Sequence, residues 1–179
     1  VFSKIREGIT ELVFSDETPC NPAFAVVVRE SPRLAAIDLS HTTYYTEYFP
    51  SVPSGLRELN ISACEWLSPH YLKKVIDTCP GLQKLALASN VQLTAHAWGE
   101  LMRLRRLGIL DLARCQQIRD DDLKIILHAC AGVSEINLEE CRLIGERGFN
   151  DLARACTKLQ KLTLSRTNLT EIGRASCRE

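Results

Sequence analysis

Leu107-Gly-Ile-Leu110-Asp-Leu112-Ala-Arg-Cys115 decides the reading of this chain. Its apolar residues hold the first, fourth and sixth places of a nine-residue unit closed by a cysteine. The unit returns as Leu56, Leu59, Ile61, Cys64, then as Leu82, Leu85, Leu87, Asn90. It returns again as Val133, Ile136, Leu138, Cys141 and as Leu159, Leu162, Leu164, Thr167. Looser copies precede these: Ile9, Leu12, Phe14, and Leu34, Ile37, Leu39, Thr42. The copies start at 9, 34, 56, 82, 107, 133 and 159, so successive starts lie 25, 22, 26, 25, 26 and 26 residues apart. A period of this length means stacked units, none of which can bury its apolar side alone.

The unit is the signature of a leucine-rich repeat, so the expected fold class is α/β. The chain is read as a horseshoe solenoid, with parallel strands on the concave face and helices on the convex face. Seven repeats fill residues 1–170 as one elongated domain, and 171–179 departs from the pattern and reads as a non-native tail. Helices are expected between the strands. Ser68-Pro69 offers an N-cap followed by proline at the first helical position. Leu72, Val75, Ile76 and Cys79 then share one helical face, as do Leu123, Ile126, Leu127, Cys130 and Phe149, Leu152, Ala153, Cys156. Trp98, Leu101 and Met102 continue the face, with Leu104 standing in for Arg105. Thr94 and Asp120 are the corresponding caps. The second repeat is short, and Pro50 and Pro53 leave little room there for a helix. Terminal caps are not visible, and fraying is expected beyond Leu164.

Cysteine closes three of the nine-residue units. Another stands three residues before the next in Cys79-x-x-Leu82, Cys130-x-x-Val133 and Cys156-x-x-Leu159. This pattern resembles the cysteine-containing repeats of F-box/leucine-rich-repeat proteins, over roughly residues 9–170. The resemblance implies the substrate-binding part of an SCF-type, cullin-based ubiquitin ligase. The partners implied are a protein substrate on the concave face and a Skp-type adaptor. The adaptor would be held through an F-box that this chain lacks and that is expected upstream. The alternative is a non-ligase cytosolic scaffold or inhibitor built from the same repeats. The one methionine is Met102, which fits a fragment of a longer chain.

Lysines and arginines number 22 and acids 22, so no basic block argues for nucleic acid. No apolar run approaches a membrane span, and the N-terminus lacks a secretory apolar core. Seven cysteines outside the tail are an odd number with no C-x-x-C pair, which fits a reduced cytoplasmic or nuclear setting. The sequons Asn60-Ile-Ser62 and Asn168-Leu-Thr170 read as chance.

Partner-binding candidates follow from the strand periodicity. The third, fifth and seventh places face the concave surface, and the fifth reads Asp38, Asn60, Ala86, Asp111, Asn137, Thr163. The floor is small and mildly acidic, with Glu139 in the seventh place and an apolar notch at Ala86, Ala88, Ile109 and Ala113. The eighth place lines the rim with His41, Arg114, Glu140 and Arg166. Arg114 and Arg166 suit a carboxylate or phosphate on a partner, or simply a pair with Glu139 or Glu140. Tyr44, Tyr45, Tyr48 and Phe49 read either as a binding loop or as a plug for the short repeat. The ninth place faces unpaired backbone groups, which Asn90 satisfies well and cysteine weakly, so Cys115→Ser is expected to be poorly tolerated.

Enzyme readings are poor. The histidines are scattered, and His128 and Cys130 fall on different helical faces. Asp120-Asp121-Asp122 lacks further oxygen ligands at calcium-loop spacing and reads as a helix start. No cofactor, metal or phosphate-loop motif is present.

Overall fold

A computed structural model of the chain describes residues 8–13, 26–28, 30–42 and 52–168. Seven three-residue strands form one parallel sheet in sequence order: β1 Glu11–Val13, β2 Ala36–Asp38, β3 Glu58–Asn60, β4 Lys84–Ala86, β5 Ile109–Asp111, β6 Glu135–Asn137 and β7 Lys161–Thr163. The register is uniform, so Ile37, Leu59, Leu85, Leu110, Ile136 and Leu162 stand side by side. Four helices lie between the later strands: α1 Pro69–Thr78, α2 Ala95–Glu100, α3 Asp120–Ala129 and α4 Glu146–Ala155. Each packs on the next. This is the expected α/β solenoid. Its core runs the length of the stack through the first, fourth and sixth places, from Leu56, Leu59 and Ile61 to Val133, Ile136 and Leu138, all buried. Each such side chain contributes about 1.5–3 kcal/mol on burial.

The strands end through a repeated backbone device. Residues at the eighth place are left-handed without being glycine: His41, Ala63, Ser89, Arg114, Glu140 and Arg166 have φ between 53° and 61°. The turn swings the chain out of the sheet while the eighth N–H still pairs with the next repeat. Ala63 N donates to Ala88 O at 2.7 Å, and Arg114 N to Glu139 O at 2.7 Å. An L-residue there costs roughly 1–2 kcal/mol, and Ala63 has no polar side chain to offset it. Ala63→Gly is expected to stabilise by about 0.5 kcal/mol after glycine's own entropy cost. A denaturant midpoint that stays or falls would refute this.

Two ladders tie repeat to repeat behind the turn. The first runs from the ninth place to the sixth carbonyl of the preceding repeat. Cys64 Sγ reaches Leu39 O at 3.2 Å, Cys115 Sγ reaches Leu87 O at 3.3 Å, and Cys141 Sγ reaches Leu112 O at 3.1 Å. Asn90 Nδ2 donates to Ile61 O at 2.8 Å and to Leu87 O at 3.0 Å, and its Oδ1 accepts from Cys64 N at 3.0 Å. Burial pushes the Cys64 thiol up to about 11 and those of Cys115 and Cys141 to about 12. All three are therefore neutral S–H donors at neutral pH. A carbonyl thus awaits a hydroxyl at Cys115, and the ninth place already holds hydroxyls in Thr42 and Thr167, each bonding the sixth carbonyl of its own repeat. The stated reason for expecting Cys115→Ser to fail is removed, because an acceptor is present.

The second ladder runs from the eleventh place to the ninth carbonyl of the preceding repeat. Trp66 Nε1 donates to Thr42 O at 3.0 Å, Gln92 Nε2 to Cys64 O at 2.8 Å, and Gln117 Nε2 to Asn90 O at 2.8 Å. Leu143 breaks it. The side chain has no donor, is 51% exposed, and among the described residues leaves Cys115 O with the Ile118 N–H alone. Leu143→Gln is expected to restore the rung and stabilise by about 0.5–1 kcal/mol. A melting temperature no higher than the parent's would contradict this.

The helices correct three expectations. α2 stops at Glu100 and gives way to a 3-10 turn, Leu101–Arg103. Three residues per turn keep Leu101 and Leu104 on the core side and rotate Met102 outward, where it is 49% exposed. Ala153 is exposed rather than core, since no described helix packs over that side of α4. The caps also differ. Ser68 accepts from Tyr71 N at 3.4 Å as expected, but Thr94 makes no side-chain cap bond. Asp120 is the first residue of α3, and its carboxylate caps the following repeat instead: Oδ1 accepts from Gly145 N at 2.7 Å, ahead of α4. Asp121 pairs with Arg147, and Asp122 accepts from Arg119 N at 3.1 Å. Each acid of the triplet has its own protein partner.

Candidate functional site

The open face of the sheet carries the odd places of each strand, and the structure brings most of the proposed residues together there. Asp38, Asn60, Ala86, Asp111, Asn137 and Thr163 form one row across β2 to β7. Sequence reasoning missed that this row is half structural. Asp38 Oδ1 accepts from Ser40 N, Asn60 Oδ1 from Ser62 N, Asp111 Oδ1 from Ala113 N and Asn137 Oδ1 from Glu139 N, at 2.8–3.1 Å. A short carbonyl side chain bonding the backbone two residues on is an Asx turn. The signal was present in the sequence, because four of these six places are Asp or Asn. Where Ala86 stands, Ser62 Oγ from the preceding repeat accepts from Ala88 N at 3.2 Å.

The second atoms of these side chains differ along the row. Asn60 Nδ2 donates to Asp38 Oδ2 at 2.9 Å, closing that pair. The equivalent neighbours Asp111 and Asn137 share no such bond among the described residues, so Asp111 Oδ2 faces the open side. On its other side the row holds Ala86, and the depression there is lined by Lys84, Ala86, Ile109, Asp111 and Asn137. The flanking charges lean away. Lys84 pairs with Glu58 at 3.6 Å and Lys161 with Glu135 at 3.2 Å, leaving Ile109 between two ion pairs. The notch at Ala86, Ala88, Ile109 and Ala113 is thus a weakly polar gap with one carboxylate oxygen at its edge.

On the rim, His41 and Arg114 are exposed. Arg114 Nε lies 3.9 Å from Glu140, Arg142 Nη2 3.8 Å from it, and Arg166 Nη1 donates to it at 2.7 Å. The Arg166 hydrogen bond, with the neighbouring guanidiniums, holds the Glu140 carboxyl below its ordinary range. Glu139 projects from the seventh place beside it. Tyr44, Tyr45, Tyr48 and Phe49 lie outside the described residues, as do Cys20 and the tail. Cys130 is buried, its thiol pushed up to about 12 by burial, while His128 is exposed. The two therefore point apart, as their spacing requires. Among the described residues no three His, Cys, Asp or Glu side chains gather as a metal site, and no helix is long and apolar enough to cross a membrane.

Comparison with known proteins agrees with this geometry. No family model matches the chain. The chain is 32% identical over 113 residues to F-box/LRR-repeat protein 4 of Bos taurus, a match over 62% of this chain and 18% of that protein. Its fold is similar to a chain in the crystal structure of the Rad7 and Elc1 complex of yeast, with a TM-score of 0.63 at 17% identity, covering 86% of this chain and 43% of that one. It is also similar to the leucine-rich repeat-containing protein LegL7 from Legionella pneumophila, with a TM-score of 0.58 at 19% identity, covering 92% and 59% respectively. The chain therefore spans less than two thirds of each of these relatives. The resemblance to F-box/leucine-rich-repeat proteins and the solenoid fold are both borne out. At the coarse level the chain is a protein-interaction module of the leucine-rich-repeat kind.

Proposed function

We propose that the chain is the substrate-binding repeat domain of an SCF-type ubiquitin ligase, gripping a protein on the open face of its sheet. The observation that carries the reading is the gap beside Asp111. Asp38 and Asp111 each spend one oxygen on an Asx turn, and Asn60 closes the second oxygen of Asp38, while Asp111 keeps its second oxygen outward next to Ala86 and Ile109. A module of this kind supplies orientation and proximity; its own groups make no bond. Recruitment of the ligase would fall to an F-box and a Skp-type adaptor outside these repeats. Asp38, Asn60, Asp111, Asn137 and Glu139 are the proposed floor contacts, with His41 and Arg114 on the rim.

The test is affinity capture with the wild-type chain and an Asp38→Arg, Asp111→Arg double variant. Like charges brought against a complementary partner cost several kcal/mol, so partners held by the wild type are expected to be lost. Equal recovery by the two proteins would overturn the assignment of the face.

A further inference from the structure

We propose that Arg114, Arg142 and Arg166, gathered around Glu140 on the rim, form a receptor for an oxyanion carried by a protein partner, either a phosphoryl group or a side-chain carboxylate. The inference rests on the reading of the chain as a protein-interaction module, but it concerns the rim and not the floor.

Three guanidiniums share one carboxylate. Arg166 Nη1 bonds Glu140 Oε1 at 2.7 Å, whereas Arg114 Nε and Arg142 Nη2 stop at 3.9 and 3.8 Å, beyond hydrogen-bond reach. Each guanidinium carries five N–H donors. Among the described residues, Arg166 alone commits a side-chain donor within this cluster. Glu140 is the half-buried hub, its side chain 12% exposed, while the three arginine side chains are 58–69% exposed. Glu139 also acts on Arg166. Counting both glutamates, three positive charges still meet two negative ones, and the surplus sits on the outward donors of Arg114 and Arg142.

The backbone fixes the placement. Arg114, Glu140 and Arg166 occupy the eighth place of three consecutive repeats, each held left-handed by the same turn. Side chains that would otherwise scatter are stacked at the repeat spacing, which presents planar forks to one incoming group. Leu143, beside Arg142 and 51% exposed, adds apolar surface at the edge of the cluster. A partner segment with an oxyanion followed by an apolar residue fits both features.

The test uses the full chain and two short peptides, one with a phosphoserine–leucine centre and one with glutamate–leucine in its place. The readout is the arginine Nε–H resonances in an NMR titration at low ionic strength. Saturable shifts of Arg114, Arg142 and Arg166 are expected with at least one peptide, and the two arms tell phosphoryl from carboxylate. Arg114→Gln with Arg142→Gln is expected to weaken binding by about tenfold or more, because charge-assisted bonds are removed. Glu140→Gln is expected to tighten it severalfold, since the competing carboxylate is gone. Absence of saturable shifts with either peptide overturns the proposal, and so does binding in the arginine double variant equal to wild type. Weaker binding in Glu140→Gln would mean that the glutamate organises rather than competes, and it overturns the receptor as described. If the rim fails while Asp38→Arg, Asp111→Arg still abolishes capture, the floor assignment stands and only this inference falls.

Discussion

Replacing Asn90 with alanine is expected to cost about 3–5 kcal/mol, since it strands two buried backbone groups at about 1–3 kcal/mol each and takes the stronger donor from a third. Cys64 N and Ile61 O, bonded by Asn90 at 3.0 and 2.8 Å, lose their partner, and Leu87 O, bonded at 3.0 Å, keeps only the Cys115 thiol at 3.3 Å. The side chain is fully buried, so water cannot replace it. A domain is stable by only about 5–15 kcal/mol, so this is a large share. The damage should also be local in a solenoid, where each repeat contacts only its neighbours. The seam between the third and fourth repeats should open first. Amide exchange at Cys64 is expected to speed up well before that at Arg114 or Glu140, and the denaturation curve should broaden. Cys115→Ser is the control, expected to cost about 1 kcal/mol or less because Leu87 O remains as an acceptor. Equal costs for the two variants would show that volume, not hydrogen bonding, sets the ninth place.

Much of this architecture was legible because a solenoid repeats its physics. Leu59, Leu85, Leu110 and Ile136 sit in the same place of successive units, so one correct assignment of place four gives the whole stacked row. The departures are where a residue answers to its neighbour repeat and not to its own. Asp120 reads as a cap for α3, yet its carboxylate is used 25 residues later at Gly145, and no period within one unit reveals that. Met102 lies where a full α-helix would bury it, and the change to a 3-10 turn is set by the shortened link to Leu107. The Asx role of Asp38, Asn60, Asp111 and Asn137 was visible as a column of identical chemistry, but exposure and acidity suggested either binding or plain solvation. The candidate surface therefore comes down to the atoms left over: Asp111 Oδ2 on the floor and the arginine forks on the rim.

Gly148→Val is the second large effect, expected to destabilise by about 3 kcal/mol or more through overpacking and a lost charge-assisted bond. Even a bare Cβ on Gly148 would lie 2.6 Å from Asp120 Oδ1, 3.0 Å from Ile144 Cγ2 and 3.2 Å from Leu123 Cδ2. Glycine costs helix α4 about 1 kcal/mol relative to alanine, and this close approach is the reason it is there. Asp120 cannot withdraw freely, because the same Oδ1 holds Gly145 N at 2.7 Å. A substituted side chain must either break that bond or push α4 off α3. A double-mutant cycle with Asp120→Ala separates the two. If the carboxylate is what the valine meets first, Asp120→Ala relieves the clash. The double variant is then less damaged than the summed singles by about 1–2 kcal/mol, the size expected for residues in contact. Additive costs would instead place the conflict with Ile144 and Leu123, making the glycine a requirement of apolar packing between the helices and leaving the Asp120 cap an independent contribution.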